Sequence, residues 1–159
     1  MTLPHGSFLD FGGRTVVVTG ASSGIGRACA VELAAHGARI VMIGRHERTL
    51  CETGSRLAGA GHQSIVLDLR NVERIAPSIR RISEATGPLY GMCHAAGVVA
   101  TRPLSTTTVD VVEQMMRVNV VAAIELARAV TRRVSSMTDR LNGRSCAARC
   151  GRPMMIAAR

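Results

Sequence analysis

Residues Thr19–Gly26 read TGASSGIG. They follow a β-branched run, Arg14–Thr19 (RTVVVT), and lead into apolar residues at Ile25, Ala28, Cys29 and Leu33. A continuous apolar run without alternation is the pattern of a strand buried on both faces. The spacing of the four residues that follow puts them on one face of a helix. The glycine-rich segment is therefore a strand-to-helix turn. Gly20 permits the tight exit from the strand, Gly24 lets the main chain approach a pyrophosphate, and Gly26 lets the helix pack close to the sheet. N–H groups at the helix start, with the positive end of its dipole, then face an anion. The spacing is Gly-x-x-x-Gly-x-Gly, so the glycines alone are a weak signal, and the strand before and helix after decide the reading.

Working outward, Arg39–Gly44 (RIVMIG), Ser64–Asp68 (SIVLD) and, more weakly, Leu89–Ala95 (LYGMCHA) are further strand-like runs. Between them Ile75, Ile79 and Ile82 share a helical face, and a longer helix is predicted from about Asp110 to about Arg133. Alternation of strand and helix predicts an α/β fold with right-handed crossovers and a parallel sheet. The end of the second strand selects the cofactor. An acid there would bind the ribose hydroxyls of NAD, whereas this chain has Gly44 and Arg45. Gly44 leaves room and the Arg45 fork suits a phosphate, so NADP(H) is favoured over NAD(H).

The 159 residues suggest one domain. A formal charge of +9 hints at nucleic acid, but its distribution argues against that. Residues 1–127 hold twelve Arg against ten acids, whereas residues 128–159 hold eight Arg against Asp139 alone. No aromatic residues interleave those arginines, so a nucleic-acid partner is not expected. No apolar run is long enough for a membrane span and no leader is recognisable, which sets the expectation of a cytoplasmic protein. No metal site is expected: Cys146-x-x-x-Cys150 lacks the usual spacing and a nearby His. Cys29 and Cys93 read as core thiols, and Cys51 as a helix residue.

These residues resemble the short-chain dehydrogenase/reductase family, and within it members similar to ketoacyl-carrier-protein reductases. TGASSGIG matches the family's cofactor motif, which carries cofactor contacts to Gly20, Ser22, Ser23, Gly24, Ile25 and Gly26. LDL (Leu67–Leu69) sits where the family has an Asp that contacts adenine, implying roles for Asp68 and Leu69. HAAG (His94–Gly97) is similar to the family's Asn-Asn-Ala-Gly, which puts Ala95, Ala96 and Gly97 beside the ribose and nicotinamide. His94 is isolated and reads as a strand-end histidine. MRVNV (Met116–Val120) resembles the segment with the family's catalytic Asn, here Asn119. Independently, Val112, Met115, Met116, Ala123 and Ala127 predict a buried helical face with Asn119 on it, where an amide needs partners. The resemblance spans about residues 8 to 133. It implies a Rossmann-like doubly wound sheet, here of about four strands in the order 3-2-1-4, with the ligand crevice between strands 1 and 4.

It also implies hydride transfer between a nicotinamide dinucleotide and a small carbonyl or alcohol substrate. The family's proton donor is a Tyr whose pKa is lowered by a nearby Lys. This sequence has no Lys, and its one Tyr is Tyr90, inside the fourth strand. VSSM (Val134–Met137) faintly resembles the segment with the family's catalytic Ser, but it comes too early for Ser135 or Ser136 to match. The expectation is a dinucleotide-binding domain over 8–133, incomplete and with weak or no turnover. Residues 134–159 then form a basic, atypical tail, disordered or produced by a shifted reading frame at or soon after Arg133. Strand 4 would be an open edge, and the family's dimerising helices would be missing. The alternatives are a non-catalytic NADP(H)-binding or interaction module, and a basic-tailed nucleic-acid binder.

Overall fold

The apolar runs do form a parallel sheet. A computed structural model describes residues 10–141 and 155–157. Strand β1 (Thr15–Thr19) leads into helix α1 (Gly24–Ala35), β2 (Arg39–Gly44), α2 (Glu47–Gly54) and β3 (Gln63–Val66). Helix α3 (Ile75–Thr86), β4 (Leu89–His94) and α4 (Val109–Met116) follow. A π-helical turn, Arg117–Val121, joins α4 to α5 (Ala122–Leu141), and a short β5 (Met155–Ala157) completes the sheet.

The first four strands stand in the order 3-2-1-4, as the sequence implies, and all pairings are parallel. Two expectations need correction. Strand β4 is not an open edge along its whole length, because Met155–Ala157 pairs with Met92–His94. The long helical stretch also continues past Arg133 to Leu141. Cys146, Cys150 and most of the basic segment expected over 134–159 lie outside the described residues.

The sheet is covered on both faces. On one, Val17, Val41, Ile43 and Met92 pack against Ile75, Ile79 and Ile82 of α3 and against Ala122, Leu126 and Val130 of α5. On the other, Val16, Val18, Ile40 and Met42 meet Ala30 and Ala34 of α1 and Leu50 of α2. The α3 isoleucines are buried as their spacing predicts. The α1 stripe is not the expected one. Gly26, Ala30 and Ala34 are buried, Cys29 and Leu33 only partly, and Ile25 and Ala28 are exposed. Small side chains allow the helix axis to approach the sheet, so they win the contact over larger ones. Strand β3 also departs from the two-faced pattern, with Val66 52% exposed. As an edge strand it has a neighbour only in β2.

Cys93 is buried, and burial, with Cys29 beside it, pushes its thiol up to about 12. Cys29 is half-buried and Cys51 exposed. Tyr90 lies at the start of β4, where the register with β1 shifts, and packs edge-on to Phe11 at 5.9 Å under the Arg14 guanidinium.

Candidate functional site

A cleft of about 540 Å³ opens at the carboxyl ends of the strands, the place where doubly wound sheets bind ligands. Its floor is the loop between β1 and α1: Gly20, Ser22, Ser23, Gly24 and Ile25 all line it. Gly20 has a φ of 65°, and a Cβ there would lie 2.7 Å from the Ala96 nitrogen. The loop can therefore lie against the segment after β4 only because this residue is glycine. Gly24, at φ 51°, has open space where a Cβ would be. The bare backbone at Gly24 fits a close approach by a phosphate, as do the unpaired first-turn N–H groups of α1. Ser23 caps that helix without a side-chain hydrogen bond. Gly26 does not line the cleft. It is buried beneath it, and its Cβ would come within 2.2 Å of the Gly20 carbonyl oxygen. Its role is contact with the loop itself rather than with the sheet.

Two residues that the motif reading missed hold this loop from below. The Thr53 hydroxyl donates to the Ala21 carbonyl at 2.9 Å and accepts from Arg27 Nε at 3.0 Å. Arg27 Nη2 donates to the Ser22 carbonyl. Thr53 is fully buried, and with Leu50 it forms the buried face of a helix that is otherwise largely polar, so nothing in the sequence marked it out.

One wall carries Ile43, Gly44, Arg45, His46 and Thr49. A Cβ on Gly44 would sit 2.3 Å from Ser22 Oγ, so the glycine makes space for the loop serine. Arg45 is exposed at the cleft edge. Beside it stand Leu67, Asp68, Leu69 and Arg70. The Arg70 side chain grips the Asp68 carboxylate through Nε at 2.9 Å and Nη2 at 2.5 Å. That bond holds the carboxyl below its usual range against partial burial, with smaller pulls from the charges of Arg70 and Arg45. Arg70 was not singled out in the sequence, although it directly follows the LDL motif.

The opposite wall is Ala95, Ala96, Gly97 and Val98, with Val118. His94 ends β4 as expected. Its Nδ1 lies 2.8 Å from Thr19 Oγ1, which also accepts the Ala96 N–H at 3.3 Å. Its Nε2 is buried with no partner among the described residues, and burial pushes the ring pKa down.

Asn119 does not line the cleft, and it does not lie on a buried face. It is exposed, as are Val112 and Met116 of the stripe read with it. The sheet and α3 take the neighbouring stripe, Val118, Ala122 and Leu126. Asn119 nonetheless has partners. Its Nδ2 donates to the Val98 carbonyl at 2.9 Å, and its Oδ1 accepts the Val98 N–H at 2.8 Å. The amide thus fastens the wall segment as a backbone partner would.

The family model for short chain dehydrogenases matches residues 14–146. The chain belongs to the short-chain dehydrogenase family. Dehydrogenase/reductase SDR family member 7B of Mus musculus is 35% identical over 80% of this chain and 41% of its own length. The ketoacyl reductase HetN of Nostoc is 28% identical, over 83% of this chain and 46% of its own. The chain spans about half the length of the curated relatives it matches. A short chain dehydrogenase from Escherichia coli CFT073, solved in complex with NADPH, superposes with a TM-score of 0.71 at 33% identity. That match covers 79% of this chain and 54% of the other. The citronellol catabolism dehydrogenase of Pseudomonas aeruginosa PAO1 gives a TM-score of 0.73 at 32% identity, over 82% and 54% of the two chains. The chain therefore shares a family with oxidoreductases that bind nicotinamide dinucleotides. No described helix is long and apolar enough to cross a membrane.

Proposed function

We propose that this chain is the cofactor-binding part of an NADP(H)-dependent oxidoreductase acting on a small carbonyl or alcohol. The observation that carries the reading is the cleft over Gly20–Ile25, with Arg45 at its edge and Asp68 beside it. The loop N–H groups would bind the pyrophosphate, Asp68 the adenine amino group, and Ala95–Gly97 would border the ribose and nicotinamide. Arg45 would take the 2′-phosphate, and it hydrogen-bonds nothing among the described residues. When bound, the nicotinamide supplies or accepts a hydride. Asn119 would act by holding the nicotinamide-side wall at Val98.

A second reading, cofactor binding without turnover, is favoured by one observation. These 159 residues hold no Lys, and Tyr90 is packed against Phe11 at the end of β4 remote from the cleft. The chain as given is then a binding module.

Fluorescence titration with NADPH and NADH tests both levels. The wild type should bind NADPH more tightly, and Arg45→Ala should lose about tenfold in NADPH affinity while NADH is unchanged. Equal affinities in the wild type would remove the NADP preference, and failure to bind either would remove the cofactor reading. A panel of ketones with NADPH should show turnover no higher than buffer; turnover well above it would overturn the binding-module reading.

A further inference from the structure

The π turn that joins α4 to α5 touches both walls of the cleft, through three consecutive residues. Val118 is buried and lines the cleft itself. Asn119 fastens Val98 on the nicotinamide side. On the adenine side, Arg117 Nε donates to the Arg70 carbonyl at 2.7 Å, and its Nη2 lies 3.6 Å from Glu73 Oε2. The Asp68–Arg70 segment leaves β3 for a turn closed by the Asn71 N–H on the Asp68 carbonyl at 3.0 Å. Arg70 in turn fixes Asp68 by its side chain and by its own N–H at 3.0 Å. An extra helix residue in a π turn moves side chains off the regular helical stripe, and such turns recur at functional sites. Here the turn presents neighbouring residues to two different loops.

We infer that Arg117 is a positioning residue for the adenine end of the cleft: through the Arg70 carbonyl it holds the Asp68 carboxylate where the cofactor meets it. The inference rests on the cofactor reading above. The bond to the carbonyl is the effective contact. The Arg117–Glu73 pair is exposed on both sides, and exposed pairs contribute little.

Arg117→Ala should weaken binding of adenosine 2′,5′-bisphosphate and of NADPH by the same factor, about fivefold. Binding of reduced nicotinamide mononucleotide should stay at the wild-type value. Amide exchange at Arg70 and Asn71 should accelerate in the free variant, and Glu73→Gln should behave as wild type in every assay. Arg128→Ala, which removes an exposed pair with Glu125 further along α5, serves as a control without effect. Unchanged adenine-half affinity in Arg117→Ala would overturn the inference. So would an equal loss for both halves, which marks a general loosening, or a Glu73→Gln effect as large as that of Arg117→Ala. A wild type that binds none of the probes removes the cofactor reading and this inference with it, whereas a wild type and an Arg117→Ala variant that bind equally remove this inference alone.

Discussion

Gly20, Gly24 and Gly26 stand within seven residues, yet each lacks a side chain for a different reason. At Gly20 a methyl group would strike the Ala95–Ala96 backbone, and φ is positive as well. At Gly24 only φ objects, at a cost of about 1 kcal/mol for an L residue. At Gly26 the backbone is ordinary helix, but a Cβ would sit 2.2 Å from a carbonyl oxygen that cannot swing away. Gly26→Ala is therefore expected to cost on the order of 3 kcal/mol of stability, by forcing the loop off α1. Gly24→Ala should melt within a few degrees of wild type yet bind NADPH about tenfold more weakly, since its methyl group enters the open cleft. Thermal melting with NADPH titration separates the two, and a Gly26→Ala protein that melts like wild type would contradict the contact. The motif spacing made the positions of these glycines legible. It could not show that Gly26 serves the loop rather than the sheet, because that contact is made by a backbone oxygen that has no signature in sequence.

At the scale of elements, the ends of β1 and β4 are joined by the Thr19 hydroxyl and the His94 ring. The ring has one nitrogen satisfied and one buried without a partner, and burial favours its neutral form. In the unfolded chain a histidine titrates near about 6.5. Below that pH the unfolded chain takes up a proton that the folded chain refuses, so acidification favours unfolding until the lowered folded pKa is reached. The melting temperature should fall as pH drops from about 7.5 to about 5.5, and His94→Asn should flatten that fall. Overlapping curves for the two proteins would mean that His94 protonates as readily in the fold. Strands and crossover helices were legible here because burial on two faces leaves unbroken apolar runs, as in RIVMIG. The helix faces were less so. Helices α4 and α5 are apolar on two adjacent stripes, and only contact with the sheet decides which one is buried. Asn119 was expected on a buried stripe and is exposed instead; its amide pairs with the Val98 backbone all the same. Thr53 and Arg117 were illegible for another reason: each acts on a backbone carbonyl that the fold brings close, 32 residues away for Thr53 and Ala21 and 47 for Arg117 and Arg70, whereas Arg70 reaches an acid only two residues away.

For the molecule as a whole, the order 3-2-1-4 determines which surfaces are finished. β1 and β2 are flanked by strands, and α1, α2, α3 and α5 cover the two faces. The outer side of α4 and the start of α5 has no such cover among the described residues. Val109, Val112, Met116, Val120 and Ile124 recur at helical spacing there and are between 39% and 71% exposed. Scattered exposed apolar residues are ordinary, but a stripe of five along one helical face favours association with another apolar surface. The protein is therefore expected to self-associate with rising concentration. Lysine at both Met116 and Ile124 should shift it toward the monomer and raise solubility, because like charges on one stripe repel. Both positions are about half exposed, and a lysine stem can cover the same ground while its ammonium stays in water, so the double variant should keep its stability to within about 1 kcal/mol of wild type. Its NADPH affinity should also hold, since neither residue lines the cleft. Sedimentation velocity over a concentration series, beside a melting curve, measures both quantities. If the double variant associates as strongly as wild type, the stripe is not the contact, and if it loses folding, the stripe is buried against part of this same chain.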